Sequence, residues 1–288
     1  MNLVLLSFGS KIENHYQAAF SILSFLVKDE IEKVIVVTDN PEFYNLFKDK
    51  VEIIAINDQE LESWKGKFNF FWRIKIKALE AVINKNPNKD LLYVDSDTFL
   101  FGDTAAIKDG FSKGYSFMHI EEELLSKGNS KTVRNMWKVL QNKTFCGVEI
   151  NSKSAMWNAG VIGLSQQDAK KIIKLSLSIC DEICNTPCPR RLVEQLSFSM
   201  ALNSKGQLRN CNSIIGHYWG NKKEWNEYIA KFFTTVLLKN LDYDQMLKEF
   251  QKIDLKQLPI IKKYGTTSIR LHNLINKVFQ PKEIVFLD

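Results

Sequence analysis

Short apolar runs alternate with segments of helical period along the first half of this chain. NLVLLSF, residues 2–8, has the length of a buried strand and leads into a Gly-containing turn. HYQAAFSILSFLV then carries helical spacing. KVIVVTD is a second strand, closed by the turn signal Asp39-Asn40-Pro41, and VEIIAI is a third. FFWRIKIKALEAVI predicts a helix with Phe71, Ile74, Ala78, Ala81 and Val82 along one face. NKNPNKD is a loop, and LLYVD is a fourth buried strand. This β-α-β-β-α-β order predicts an α/β fold, with a mostly parallel sheet flanked by helices on both sides. Ligands on such sheets collect at the carboxyl ends of the strands.

The pattern continues with two further strands, YSFMHI and NAGVIGL. SQQDAKKIIKLSLSICDEIC reads as a helix capped by Ser165, and RRLVEQLSFSMALN as another. From Lys231 the character changes. FFTTVLLKNLDYDQMLKEFQKI is amphipathic, and IIKKYGTTSIRLHNLINKVF is basic and apolar. No internal repeat and no Pro/Gly/Ser linker interrupts the sequence.

Composition narrows the function classes. With 288 residues, 45% hydrophobic and 25% charged, the chain can bury a large core without a disulfide or structural metal. The net charge of +6 favours an anionic ligand or surface, but no arginine-rich or RNP-like segment supports nucleic-acid binding. The five cysteines are an odd number, which suits a reducing compartment. Cys180, Cys184 and Cys188 lack zinc spacing, and Pro187 and Pro189 break the helix that would align the last thiol, so they read as a buried helix face. The N-terminus lacks the features of a signal peptide, and no apolar run approaches the roughly 20 residues that span a bilayer. A cytoplasmic location is expected. Residues 231–288 carry ten Lys or Arg against six Asp or Glu, a net of +4, which suits either a peripheral membrane contact or a helical subdomain beside the sheet.

Candidate chemistry starts at LLYVDSDTFLF, where Asp95 and Asp97 follow the fourth strand. An Asp-x-Asp is weak by itself, and Asp242-Tyr243-Asp244 repeats it in a polar helical stretch that reads as solvated surface. Three readings compete. A haloacid-dehalogenase-type phosphatase needs Thr four residues after the first Asp, yet Phe99 stands there and Thr98 comes one early. A polar strand end, with both side chains capping a turn, needs no chemistry at all. A divalent-cation site for a nucleoside diphosphate uses two carboxylates on one side of an extended segment.

The second clue is HYWGNKKEW, with His217, Gly220, Lys223 and Trp225 at fixed spacing. Together with the aspartate pair, it resembles the retaining glycosyltransferases of the glycogenin and lipopolysaccharide-galactosyltransferase family, family eight in the usual classification. The later motif of that family is HxxGxxKPW, and here Glu224 stands where the proline is usual. The resemblance spans residues 1–230 and implies a GT-A (Rossmann-like) catalytic domain, with 231–288 as a helical extension. It implies that Asp95, Asp97 and His217 hold one manganese (or magnesium) ion, and that Gly220 and Lys223 meet the diphosphate.

Other segments fit the same resemblance. WNAGVIGL is similar to the family's Asn-containing strand, so Asn158, with Ala159 beside it, would contact the donor sugar and Gly160 would leave room for it. In VEQLSFS, Glu194 and Gln195 would lie under the sugar. FWRIKIKAL is similar to the helix that lends the donor a basic residue; Arg73 and Lys77 are the candidates, with Lys75 as the alternative. Ser7 and Phe8 would line the base, Tyr16 would stack on or near it, and Ser96 would face the ribose. His119, Glu121 and Glu122 stand near a donor-binding acidic position. The implied activity is metal-dependent transfer of a hexose from a nucleotide-diphosphate sugar, a UDP-sugar in this family, to a glycan, lipid-linked or protein hydroxyl with retained configuration. Gln195 is a poor nucleophile, which favours attack from the leaving-group side, with the departing phosphate taking the acceptor proton; Glu194 stays open as a nucleophile. The rivals are a non-catalytic sugar-nucleotide-binding protein and a sugar-nucleotide pyrophosphorylase, whose Gly-rich N-terminal loop is absent.

Overall fold

The computed structural model describes residues 1–28, 31–260 and 266–279. In chain order the elements begin with β1 (Asn2–Leu6), α1 (Ile12–Leu26), β2 (Lys33–Thr38) and β3 (Val51–Ala55). Then come α2 (Asp58–Trp64), α3 (Arg73–Lys85), β4 (Leu91–Val94) and β5 (Thr98–Leu100). The middle of the chain holds α4 (Ala105–Ser112), β6 (Ser116–Met118), β7 (Glu121–Leu124) and α5 (Lys131–Leu140). A small hairpin of β8 (Thr144–Phe145) and β9 (Val148–Glu149) precedes β10 (Ala155–Trp157) and β11 (Val161–Leu164). The last part contains α6 (Ala169–Cys184), α7 (Val193–Asn203), β12 (Leu208–Asn210), β13 (Ile215–His217), α8 (Lys222–Leu238), α9 (Tyr243–Gln251) and α10 (Thr266–Val278).

Seven strands form one sheet in the order β12-β6-β11-β4-β1-β2-β3. All run the same way except β11, which is antiparallel to both β4 and β6. The apolar runs are continuous because both faces are covered. Val4 and Tyr93 point into one core, with Ile74, Leu79, Ile172 and Leu196 from α3, α6 and α7. Leu3, Leu5, Leu92 and Val94 point into the other, with Phe20, Ile107, Trp225 and Phe250 from α1, α4, α8 and α9. Alternation along a strand sends successive side chains to opposite faces, so each run feeds two cores.

Several expectations shift on contact with the structure. The helix expected from Ser165 starts at Ala169; Ser165 sits in the preceding turn, its hydroxyl 3.4 Å from Asp168 Oδ2. Phe71 does not belong to the buried face of α3. It precedes the helix and is exposed, Ala81 is half-buried, and Ile74, Ile76, Ala78, Leu79, Val82 and Ile83 make the face instead. Cys180 and Cys184 are buried on α6, and Cys188 is buried beyond its end. Position 230 lies inside α8, and Phe233, Met246 and Phe250 continue the same core as β1. Of the basic tail, 261–265 and 280–288, including Lys262, Lys263 and Lys282, lie outside the described residues. No helix among the described residues is long and apolar enough to cross a membrane.

The sheet reverses its direction of build between β1 and β4. From β1 the chain adds β2 and β3 on one side, then returns to place β4 on the other. The carboxyl ends of β1 and β4 therefore open a crevice at a topological switch point, the usual ligand position in such sheets.

Candidate active site

A cleft of about 550 Å³ lies at that switch point. β1 delivers Ser7 and Phe8 to it, and β4 delivers Asp95, Ser96 and Asp97. The aspartates do not lie on an extended strand, as the sequence pattern suggests. They occupy the tight connection between β4 and β5, closed by the Thr98 hydroxyl donating to the Asp95 carbonyl at 2.8 Å. Their convergence comes from this turn.

The third member arrives through β13, which pairs with β5 so that His217 stands opposite Thr98. The Tyr218 N–H also donates to the Asp97 carbonyl at 3.1 Å. Two segments far apart in sequence are thus one small ladder. Asp95, Asp97 and His217 each present a ligand atom, all within 4.8 Å of one another. Asp97 and His217 are 4% and 5% exposed, so these are not ordinary surface carboxylates and imidazoles.

Each group is held by specific partners. Asp95 Oδ1 accepts from the Tyr93 hydroxyl at 2.7 Å and lies 3.0 Å from the Lys75 ammonium. Asp97 Oδ1 is 3.4 Å from His217 Nε2, and Asp97 Oδ2 is 2.8 Å from the Lys222 ammonium. Burial alone would raise the Asp97 carboxyl, but its contacts with His217 and Lys222 hold it well below the usual carboxylate range. Burial likewise would lower the Lys75 ammonium, yet Asp95 and Glu194 outweigh it and push it up. Glu194, 3.1 Å from Lys75, is raised by its burial against the pull of that lysine. His119 packs edge-on against His217, ring centroids 5.3 Å apart, and burial with the nearby His217 lowers it to about 4.

These residues fit a divalent cation. His217 Nδ1 is 3.0 Å from Asn158 Oδ1, which only accepts, so Nδ1 carries a proton and Nε2, on the Asp97 side, is the nitrogen that would coordinate. Gly160 makes that ring position possible, because a Cβ there would lie 2.3 Å from His217 Cε1. The Lys222 ammonium rests on Asp97 Oδ2, while Oδ1 is the oxygen turned toward His217. Hard carboxylate oxygens with one imidazole suit manganese or magnesium better than a soft metal.

The remaining predicted residues divide. Ser7, Phe8, Ser96, Asn158 and Gln195 line the cleft. Glu194 is buried behind them with Lys75, and Ala159 is buried, its carbonyl 3.3 Å from the Lys75 ammonium. Arg73 is not brought to the cleft; it forms a two-pronged ion pair with Asp181 on α6, at 2.7 and 3.0 Å. Lys77 turns to Glu80 on its own helix. Lys75 is the basic residue of α3 that lines the cleft. Tyr16 stacks on Phe233 at 4.9 Å, away from the cleft. Gly220, ahead of α8, and Lys223, in its first turn, are exposed and do not line the cleft; Lys222, one position earlier than Lys223, does. Trp225 is buried, stacked 4.2 Å from Tyr218.

Several lining residues are given no role by the sequence reading. Phe71, Trp72 and Trp219 are about half exposed at the cleft, and Arg191 and Leu192 line it ahead of α7. Of the three acidic or basic candidates in HIEEEL, Glu122 is the one at the cleft, while His119 stands behind His217 and Glu121 is exposed outside it. Period-two alternation on β7, which places Glu122 opposite to its neighbours, was the available signal.

The sequence matches no protein-family model and no curated protein. Solved structures do share its shape. The galactosyltransferase LgtC in complex with donor and acceptor sugar analogues is 12% identical at a TM-score of 0.52, over 89% of this chain and 98% of that one. An active-site mutant of LgtC in which glutamate replaces a glutamine is 13% identical at a TM-score of 0.50, over 74% of this chain and 73% of that one. The likeness establishes the fold, which is the mixed α/β GT-A architecture of such transferases.

Proposed function

We propose that this chain is a metal-dependent glycosyltransferase that moves a hexose from a nucleotide-diphosphate sugar, a UDP-sugar in this reading, to an acceptor hydroxyl with retained configuration. The observation that carries the reading is the meeting of Asp95, Asp97 and His217 at the switch point of a GT-A sheet. Held by these three side chains, a divalent cation would neutralise the diphosphate and make it a better leaving group. Lys222 adds a second positive charge beside the same carboxylate and replaces Lys223 in that role. Ser7, Phe8 and Ser96 receive the nucleoside, and Asn158 contacts the sugar. Lys75, the alternative to Arg73 and Lys77 as the basic residue of α3, is the one that lines the cleft. It neutralises Asp95 and Glu194 from behind, which keeps the aspartate in place.

Of the two catalytic candidates, Gln195 faces the cleft and Glu194 is engaged by Lys75. An amide is a poor nucleophile, so the reading favours attack from the leaving-group side, with the departing phosphate accepting the acceptor proton. The acceptor is a glycan, lipid-linked or protein hydroxyl. Leu271, Leu274, Ile275 and Val278 form an exposed stripe on α10, with Arg270 and Lys277 on the same helix, and this supports peripheral contact with an anionic membrane.

The test is a thermal-shift screen of sugar nucleotides with and without manganese. A ligand that binds only the native state raises Tm, so one sugar nucleotide should do so in a manganese-dependent way. The same compound should then be hydrolysed or transferred. No manganese-dependent shift with any sugar nucleotide, together with hydrolysis of simple phosphomonoesters, would overturn the reading.

A further inference from the structure

We propose that Glu122 is a positioning residue that decides which end of the Gln195 amide faces the cleft. The hydrogen bonds leave one consistent assignment. The Gly160 backbone N–H, which can only donate, reaches Asn158 Oδ1 at 3.0 Å. That fixes the oxygen end of Asn158, and its Nδ2 therefore donates to Glu122 Oε1 at 2.9 Å. The other carboxylate oxygen, Oε2, accepts from Gln195 Nε2 at 2.9 Å. Glu122 has only acceptors when ionised, so it holds the nitrogen ends of both amides at once. Gln195 is left presenting Oε1 to the cleft that it lines.

The orientation has a chemical consequence that rests on the transfer reading above. A sugar losing its diphosphate gains positive character at the reacting carbon. A carbonyl oxygen fixed nearby stabilises that charge, whereas an NH2 group in the same place opposes it. Glu122 touches no reacting atom; it acts through Gln195.

The test is a polarity swap. In Glu122→Gln the new amide offers one acceptor and one donor. Asn158 cannot turn without opposing the Gly160 N–H, so Gln195 must turn and present its nitrogen. The expected result is a kcat lower by roughly 10²-fold, with donor KM and manganese affinity, read from the free-ion paramagnetic resonance signal, each within about threefold of wild type. In Glu122→Gln/Asn158→Asp every hydrogen bond regains a partner. The carboxylate introduced at position 158 accepts from the Gly160 N–H, from His217 and from the new amide, whose oxygen again takes the Gln195 nitrogen. Measured against both single variants, this double variant should exceed the product of the Glu122→Gln and Asn158→Asp losses by at least about tenfold in kcat, a coupling that a merely structural role would not produce. Wild-type kcat in Glu122→Gln, or a double variant no better than the product of the two single losses, would overturn the proposal. If the wild type transfers no sugar, the transfer reading fails, and hydrogen exchange of the Gln195 side-chain amide decides the orientation alone. Slow exchange in the wild type that becomes fast in Glu122→Gln supports the clamp, and equal exchange overturns it.

Discussion

Asp95-Ser96-Asp97 and Asp242-Tyr243-Asp244 share a spacing, and the chain treats them in opposite ways. The first pair follows a central strand, and its carboxylates meet side chains from distant elements: Lys75 on α3, His217 on β13 and Lys222 on α8. The second pair lies at the surface. Asp242 accepts the Gln245 N–H at 2.9 Å, and the Gln245 side chain accepts the Asp242 N–H in return, closing a capping box on α9. Its partners are three residues away in sequence. The difference teaches that Asp-x-Asp is chemistry only where the topology supplies the other ligands, and a cap where the local backbone does.

The widest separation should come from removing one acid of each pair. Asp97→Ala and His217→Ala should lower manganese-dependent transfer by roughly 10³-fold, with circular dichroism unchanged. Manganese should no longer raise Tm in either variant, and a chelator should bring wild type to the same level. Asp244→Ala should keep full transfer and the manganese shift. Full activity of Asp97→Ala in chelator would erase the distinction.

The next effect concerns the charge that makes the first pair tenable. Lys75→Met leaves Glu194 and Asp95 without their buried counter-charge and should cost about 3 kcal/mol in urea unfolding. The pH dependence carries the sign. Glu194 is already raised by burial, so the native state binds its proton more tightly than the unfolded chain does. Between the unfolded and folded values stability therefore falls as pH rises. Removing Lys75 widens that window upward, so the loss in the variant should shrink as the solution is acidified from neutrality. A loss independent of pH would show that Lys75 acts by packing alone.

Gly160→Ala tests whether the partner brought from afar needs its own seat. A Cβ would lie 2.4 Å from His217 Nδ1, so the ring must move. A cost of about 2 kcal/mol in stability is expected from the overpacking, along with weakened manganese binding by calorimetry. An unaltered manganese affinity would mean that His217 is dispensable to the site.

The same contrast explains what could be read ahead of the structure. The strands themselves, the mostly parallel sheet and the ligand side at the carboxyl end of β4 follow from apolar runs, because a parallel sheet must bury both faces, whereas the lateral order that creates the switch point between β1 and β4 is set by tertiary pairing. His217 was legible because its spacing to Gly220 and Trp225 is local. Arg73 against Lys75 was not, since successive odd positions on a helix point in very different directions and only the placement of α6, carrying Asp181, decides which lysine or arginine turns inward. Lys222 against Lys223 turned on where α8 starts, and helix ends are the least determined feature of a pattern. Tyr16 was lost to the cleft because Phe233, far along the chain, offers it a stacking face. Glu122 was one of three consecutive acids, and its role depends on Asn158 and Gln195 arriving from the end of β10 and from α7.

The smallest effects belong to the second pair, and they complete the contrast from its quiet side. Asp242→Ala removes the acceptor for the Gln245 N–H and opens the capping box, which should cost about 1 kcal/mol. Asp244→Ala, exposed in the first turn of α9, should change stability by less than about 0.5 kcal/mol. Because α9 buries Tyr243, Met246 and Phe250 against the core that also contains Phe20 of α1, the cap loss should appear in global denaturant unfolding and not as fraying of α9 alone. An asparagine at position 242 would serve as well as the aspartate, since the two residue types cap a helix about equally, whereas an amide at position 97 would fail at the metal. The pair Asp242→Asn and Asp97→Asn, measured for stability and manganese-induced Tm shift, therefore separates a carboxylate wanted for its hydrogen bond from one wanted for its charge.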